Sequence, residues 1–398
     1  ETVTYQITPQ ANGCLGPVTD YVVTVYPTPM VTNSPPAKSQ CNNTNTSIIL
    51  TSDVTGTMYT WTCTPGSANI TGYSNNAVPA PGISQVLTNN GFNIETVVYH
   101  ITPWANGCPG PPLDYTVTVY PTANLSNQPL SQSQCSSTAT NVNLLSDVAN
   151  TTFTWTCTPS SGNITGWSDH PVPTTILNQV LVSTSIVVES VTYHISPSAN
   201  GCPGTMTDFI VNVYPSPVVT NNPLSQIQCD HVNTGINLLS NLPGTLFTWT
   251  CLPSSGNITG WANNSIPAGA ILQTLVNSGN ITETVIYQII PIANGCSGST
   301  YDYTVSVFPT PDLSNFPPSQ TQCNNTNTAI TLTSGLAGTT FTWTCTPSGP
   351  GITGWANNIT PTTTINQVLV NSTGTIQTVT YHITPSANNC SGPLSDYV

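Results

Sequence analysis

Short stretches in which apolar and polar residues alternate run the whole length of the chain, separated by clusters of turn-forming residues. In MYTWTC, Tyr59, Trp61 and Cys63 fall on one side and Met58, Thr60 and Thr62 on the other. Val97, Tyr99 and Ile101 share a face in the next long run, and Tyr115, Val117 and Val119 share one in the run after it. A period of two predicts strands with one buried and one solvated face. Ile48 and Leu50 mark an earlier strand, DVTG turns the chain at Asp53 to Gly56, and another strand lies around Val86. The last two strands read as a hairpin whose connection holds ANGCPG. No segment has the period of a helix.

The same pattern returns every 94 residues without insertion or deletion. Cys14, Cys108, Cys202, Cys296 and Cys390 keep this interval, as do Trp61, Trp155, Trp249 and Trp343. Proline-rich marks at Pro29, Ala123, Pro217 and Pro311 follow each last strand and stiffen the joints. They divide the chain into copies 30–123, 124–217, 218–311 and 312–398, preceded in 1–29 by the C-terminal hairpin of a further copy. Glu1 aligns with Glu95 and Val398 with Val22, so the pieces at both ends are expected to be incomplete. More chain, or strand addition from a neighbour, would complete them. About seven short strands per copy, with an inward Trp on the third, predict an all-β fold. The expected architecture is a linear array of tandem immunoglobulin-like β-sandwich repeats of 94 residues.

Composition narrows the function. Lys38 is the one basic residue besides histidine, against 14 Asp plus Glu, and charged residues are 4% of the chain. Without Lys and Arg there is no phosphate-binding surface, which excludes nucleic acid as a partner. Hydrophobic residues make up 37%, enough for several small cores despite 36 Pro and 28 Gly. No apolar run is long enough to span a membrane as a helix.

The runs TTFTWT, GNITGW, VTYHI-P-ANGC-G and DYTVTVYPTP resemble the PKD-like and Ig-like repeats of large Bacteroidota surface proteins, and every copy carries the resemblance. It implies export by the type IX secretion route and a secreted, extracellular or cell-surface location. Cysteines before the second strand and in the NGC turn, here Cys41 and Cys108, are typical of that family. Cys63, after the tryptophan, departs from it.

Thirteen cysteines in an exported chain point to disulfides. Immunoglobulin-type topology brings the connection before the second strand and the end of the third to one pole. Cys41–Cys63, Cys135–Cys157, Cys229–Cys251 and Cys323–Cys345 are therefore expected to close within each copy. Cys14, Cys108, Cys202, Cys296 and Cys390, at the opposite pole, are expected to bond across copies or molecules. A competing scheme pairs the two family-typical positions, Cys41 and Cys108 or their neighbours in adjacent copies, and leaves Cys63 free.

No catalytic, cofactor-binding or metal-binding constellation emerges. His100, His194 and His382 occupy an outward position that Gln6 and Gln288 fill elsewhere. The recurring acids Asp20, Asp114, Asp208, Asp302 and Asp396, with Glu1, Glu95, Glu189 and Glu283, lack the dense oxygen cluster that calcium needs. They read as solvated strand-end charges. The expected function is structural and non-enzymatic: a rigid, disulfide-stabilised filament, stalk or sheath whose partners are copies of itself or neighbouring repeats. The alternative is an adhesin that stacks surface glycans on Tyr73, Trp167, Trp261 and Trp355.

Overall fold

The computed structural model describes all 398 residues and contains strands, turns and no α-helix. It divides into two compact units, Glu1–Tyr214 and Pro215–Val398. The first holds a two-stranded hairpin, Thr2–Ile7 against Thr19–Thr24, followed by two sandwiches; the second holds two more. In the hairpin Tyr5 and Tyr21, which face a core in every other copy, are 55% and 62% exposed.

The sandwich at 30–123 shows how the pattern is used. Its large sheet runs in the order Asn76–Ala80, Met58–Pro65, Glu95–Ala105, Leu113–Tyr120, Ala37–Cys41. The opposite layer is built from short pieces: Ile48–Ile49 pairs with Gly82–Ile83, and Val86–Asn89 pairs with both Thr44–Asn45 and Ile70–Thr71. Alternation sends Tyr59, Trp61, Val97, Tyr99, Ile101, Tyr115, Val117 and Val119 inward from the large sheet. They meet Ile48, Leu50, Ile70, Ile83 and Leu87 from the short-strand layer. The same core recurs in each of the other three sandwiches.

Three features hold these layers in register. Thr46, fully buried, donates its hydroxyl to the Ile83 carbonyl at 2.9 Å and accepts the Gln85 backbone N–H at 3.0 Å. The Gln85 side chain accepts the buried Tyr99 hydroxyl at 2.9 Å, so this phenol is not left unpaired in the core. The tryptophan donates Nε1–H to the Ser74 carbonyl at 3.0 Å, tying the loop after the third strand to the core.

The strand Ala37–Cys41 was not foreseen. It has no apolar alternation, and it forms because it lies parallel to Leu113–Tyr120, with Ala37 opposite Thr116 and Cys41 opposite Tyr120. Equivalent parallel pairs join Ser131–Cys135 to Thr207–Tyr214 and Ser225–Cys229 to Tyr301–Phe308.

Candidate functional site: the joint between consecutive sandwiches

The parallel entry strand places Cys41 at the edge of the large sheet, beside the end of the last strand, where the chain leaves for the next sandwich. There it bonds Cys202 in the NGC turn of the following sandwich, with Cα atoms 5.5 Å apart. In the second unit Cys229 bonds Cys390 in the same way, at 5.7 Å. Each bond spans 161 residues. Cys135 and Cys296 are disulfide-bonded as well.

This arrangement overturns the expected pairing of Cys41 with Cys63, Cys135 with Cys157, Cys229 with Cys251 and Cys323 with Cys345. Cys63 lies opposite Tyr99, and two strands separate its own strand from Ala37–Cys41. Three inter-strand spacings put the two cysteines roughly 14 Å apart, well beyond disulfide reach. The thiol of Cys63 points instead at the Ser74 carbonyl, 3.3 Å away. Cys157, Cys251 and Cys345 repeat this contact. Burial pushes the Cys63, Cys251 and Cys345 thiols up to about 11 and Cys157 to about 12, so they stay protonated and unreactive near neutrality. Cys14, Cys108 and Cys323 are free thiols, Cys14 and Cys323 exposed.

Polar contacts reinforce the joint. Asn42, next to the bonded cysteine, donates to the Asn89 carbonyl at 2.9 Å and to the Thr122 hydroxyl at 3.0 Å, fixing the linker against the sandwich it leaves. Asp230 serves the same purpose later, accepting the Thr310 hydroxyl at 2.8 Å. On the far side the linker residue Ala123 is fully buried with Val148 and Ala199. Its carbonyl accepts the Thr205 backbone N–H at 3.2 Å. The glycine two residues after each of these turn cysteines makes this approach possible. A Cβ on Gly204 would lie 2.1 Å from the Ala123 oxygen, and one on Gly392 would lie 1.8 Å from the Pro311 oxygen.

Other residues singled out in the sequence have local roles. Lys38 donates to the Thr46 carbonyl, as Gln132, Gln226 and Gln320 do at the equivalent carbonyls, so its charge is incidental. Glu95, Glu189 and Glu283 are buried rather than solvated. The Ser160 hydroxyl donates to Glu189 at 2.5 Å and Ser254 donates to Glu283, pinning the start of the central strand to the turn after the tryptophan strand. These hydroxyls hold both carboxyls below the ordinary range.

The structure also joins groups that the sequence left separate. His100 Nδ1 lies 2.6 Å from Asp114 and His100 Nε2 lies 2.8 Å from the Thr64 hydroxyl, and His194 and His382 repeat the relay with Asp208 and Thr158, and with Asp396 and Thr346. The constant spacing of histidine and aspartate was its sequence signal. Each relay stands on the outward face of three paired strands, and Gln288 replaces the histidine opposite Asp302 in one copy. It acts as a cross-strand polar link. No group of three His, Cys, Asp or Glu side chains is placed to hold a metal ion.

Tyr73, Trp167, Trp261 and Trp355 are half-buried and pack against the cores instead of standing free. The three indoles spend their N–H on carbonyls of their own turn: Ile164, Ile258 and Ile352, at 3.1–3.3 Å.

The family comparison agrees with this architecture. A family model described as PKD-like domain matches residues 38–123, 132–217, 226–311 and 320–398. The search of curated proteins returned no match. Among solved structures, a titin I-band fragment, I67–I69, is similar at 11% identity and a TM-score of 0.34, over 72% of this chain and all of that one. The human desmocollin-1 ectodomain is similar at 10% identity and a TM-score of 0.26, over 98% of this chain and 82% of that one. Drosophila N-cadherin EC1–4 is similar at 8% identity and a TM-score of 0.25, over 91% and 98% of the two chains.

Proposed function

Because this chain belongs to the PKD-like domain family, with four such domains in series, we propose that it is a structural, non-enzymatic array working outside the cell. Its role is that of a stiff element of a surface filament, stalk or sheath, with neighbouring repeats or further copies as its partners. The observation that carries this reading is the placement of the disulfides: Cys41–Cys202 and Cys229–Cys390 join successive domains. A crosslink inside one domain stabilises that domain, whereas a crosslink between domains stabilises their arrangement. Disulfides persist in oxidising surroundings, which supports an extracellular location. The likeness to repeats of Bacteroidota surface proteins adds the type IX route as the means of export. Adhesion through the aromatic series is less well supported, because those rings lie against the cores.

Immunogold electron microscopy of intact source cells tests the reading. Label concentrated on surface projections is the expected result, and label confined to the cell interior would overturn it.

A further inference from the structure

The two cross-domain disulfides change which parts of the chain carry tension. We infer that they make the array a force shunt, in which a pull on the chain ends bypasses most of each sandwich core. This deepens the structural reading above and rests on it for its biological purpose, but it follows from covalent connectivity alone.

A pull entering from the amino end runs along the entry strand to Cys41, and the disulfide then offers a direct route to Cys202. Beyond Cys202 the load follows the last strand, Thr207–Tyr214, passes through the linker and enters the strand Ser225–Cys229. At Cys229 it crosses to Cys390. The taut covalent path therefore consists of residues 1–41, 202–229 and 390–398. Residues 42–201 and 230–389 lie in closed loops off this path, and they hold all four buried tryptophans, Trp61, Trp155, Trp249 and Trp343.

The strands that remain on the path suit the task. Thr207–Tyr214 and Ser225–Cys229 are each held by parallel pairing, to Ser131–Cys135 and to Tyr301–Phe308 respectively. Both partner strands lie in the loops off the path, so these ladders hold the loaded strands to their sandwiches and do not themselves join the two pulled ends. If even these gave way, the segment from Cys202 to Cys229 could extend to only about 100 Å.

Single-molecule pulling of the 398-residue chain from handles at Glu1 and Val398 tests the shunt. Fully extended, the reduced chain reaches about 1,400 Å and the oxidised chain about 270 Å. The expected result is therefore a roughly five-fold shorter maximum extension under oxidising conditions. Cys229→Ser should more than double the maximum extension of the oxidised chain, and circular dichroism checks that the variant is folded. An oxidised chain that pays out most of its length, or no change on Cys229→Ser, would overturn the inference. The measurement is independent of where the protein resides. A chain that shows the shunt but is absent from the cell surface would refute the proposed function and leave the mechanics standing.

Discussion

At the scale of single residues, each sandwich depends on a few large buried rings, among them a tryptophan whose N–H is satisfied by a carbonyl. Trp61 is 6% exposed and uses its N–H on Ser74. Trp61→Ala should cost about 3–5 kcal/mol, as truncations of core aromatics do, seen as an early transition in a calorimetric melt. The buried thiols give a pH prediction. The Cys63 thiol rises from an ordinary value of 9.0 to about 11, so the fold favours its protonated form. That contribution is fully present below pH 9 and is lost as pH climbs through about 11, because only the unfolded chain releases the proton early. Alkaline melts should therefore show a falling midpoint that Cys63→Ala blunts. At pH 8, alkylation should take Cys14 and Cys323 well before the Cys63 series. The inward positions were legible because alternation is a local property of the sequence. The buried Glu283 was not, since a carboxylate at a strand end looks solvated until its serine partner, from a different strand's turn, is in place.

At the scale of strands, legibility followed apolar alternation and stopped where pairing is non-local. Glu95–Ala105 and Leu113–Tyr120 announce themselves, with Tyr99 opposite Tyr115 in the paired register. Ala37–Cys41 does not, being polar and held by a parallel partner far along the chain. Missing that strand left Cys41 in a connection, and the disulfide scheme failed with it. The NGC turn was visible as a motif, but the reason for its following glycine lay in a carbonyl of the linker. Gly204→Ala should push the turn away from Ala123 and cost about 1–3 kcal/mol as overpacking does. The melting temperature of that sandwich should drop by roughly 5–20 °C. An unchanged melt would mean that the linker relaxes without loss.

At the scale of the whole chain, the 94-residue interval announced the repeats, but the bonds follow another interval, 161, that links unlike positions in successive copies. Spacing alone could not reveal it. A loop of that length gives an entropic stabilisation of about 5 kcal/mol in the chain-entropy model, so Cys41→Ser or mild reduction should lower the thermal midpoint and make the first two sandwiches melt separately. Calorimetry before and after reduction checks this. The fixed bond interval also has a genetic side. A recombination event that removes 94 residues in frame, such as 124–217, brings the cysteine that was Cys296 into the place of Cys202, where Cys41 can bond it. A deletion that is not a whole number of repeats breaks this register and leaves the half-cystines unmatched. Natural variants of this gene should therefore differ by whole repeats, and peptide mapping of the 124–217 deletion should find Cys41 joined to the former Cys296.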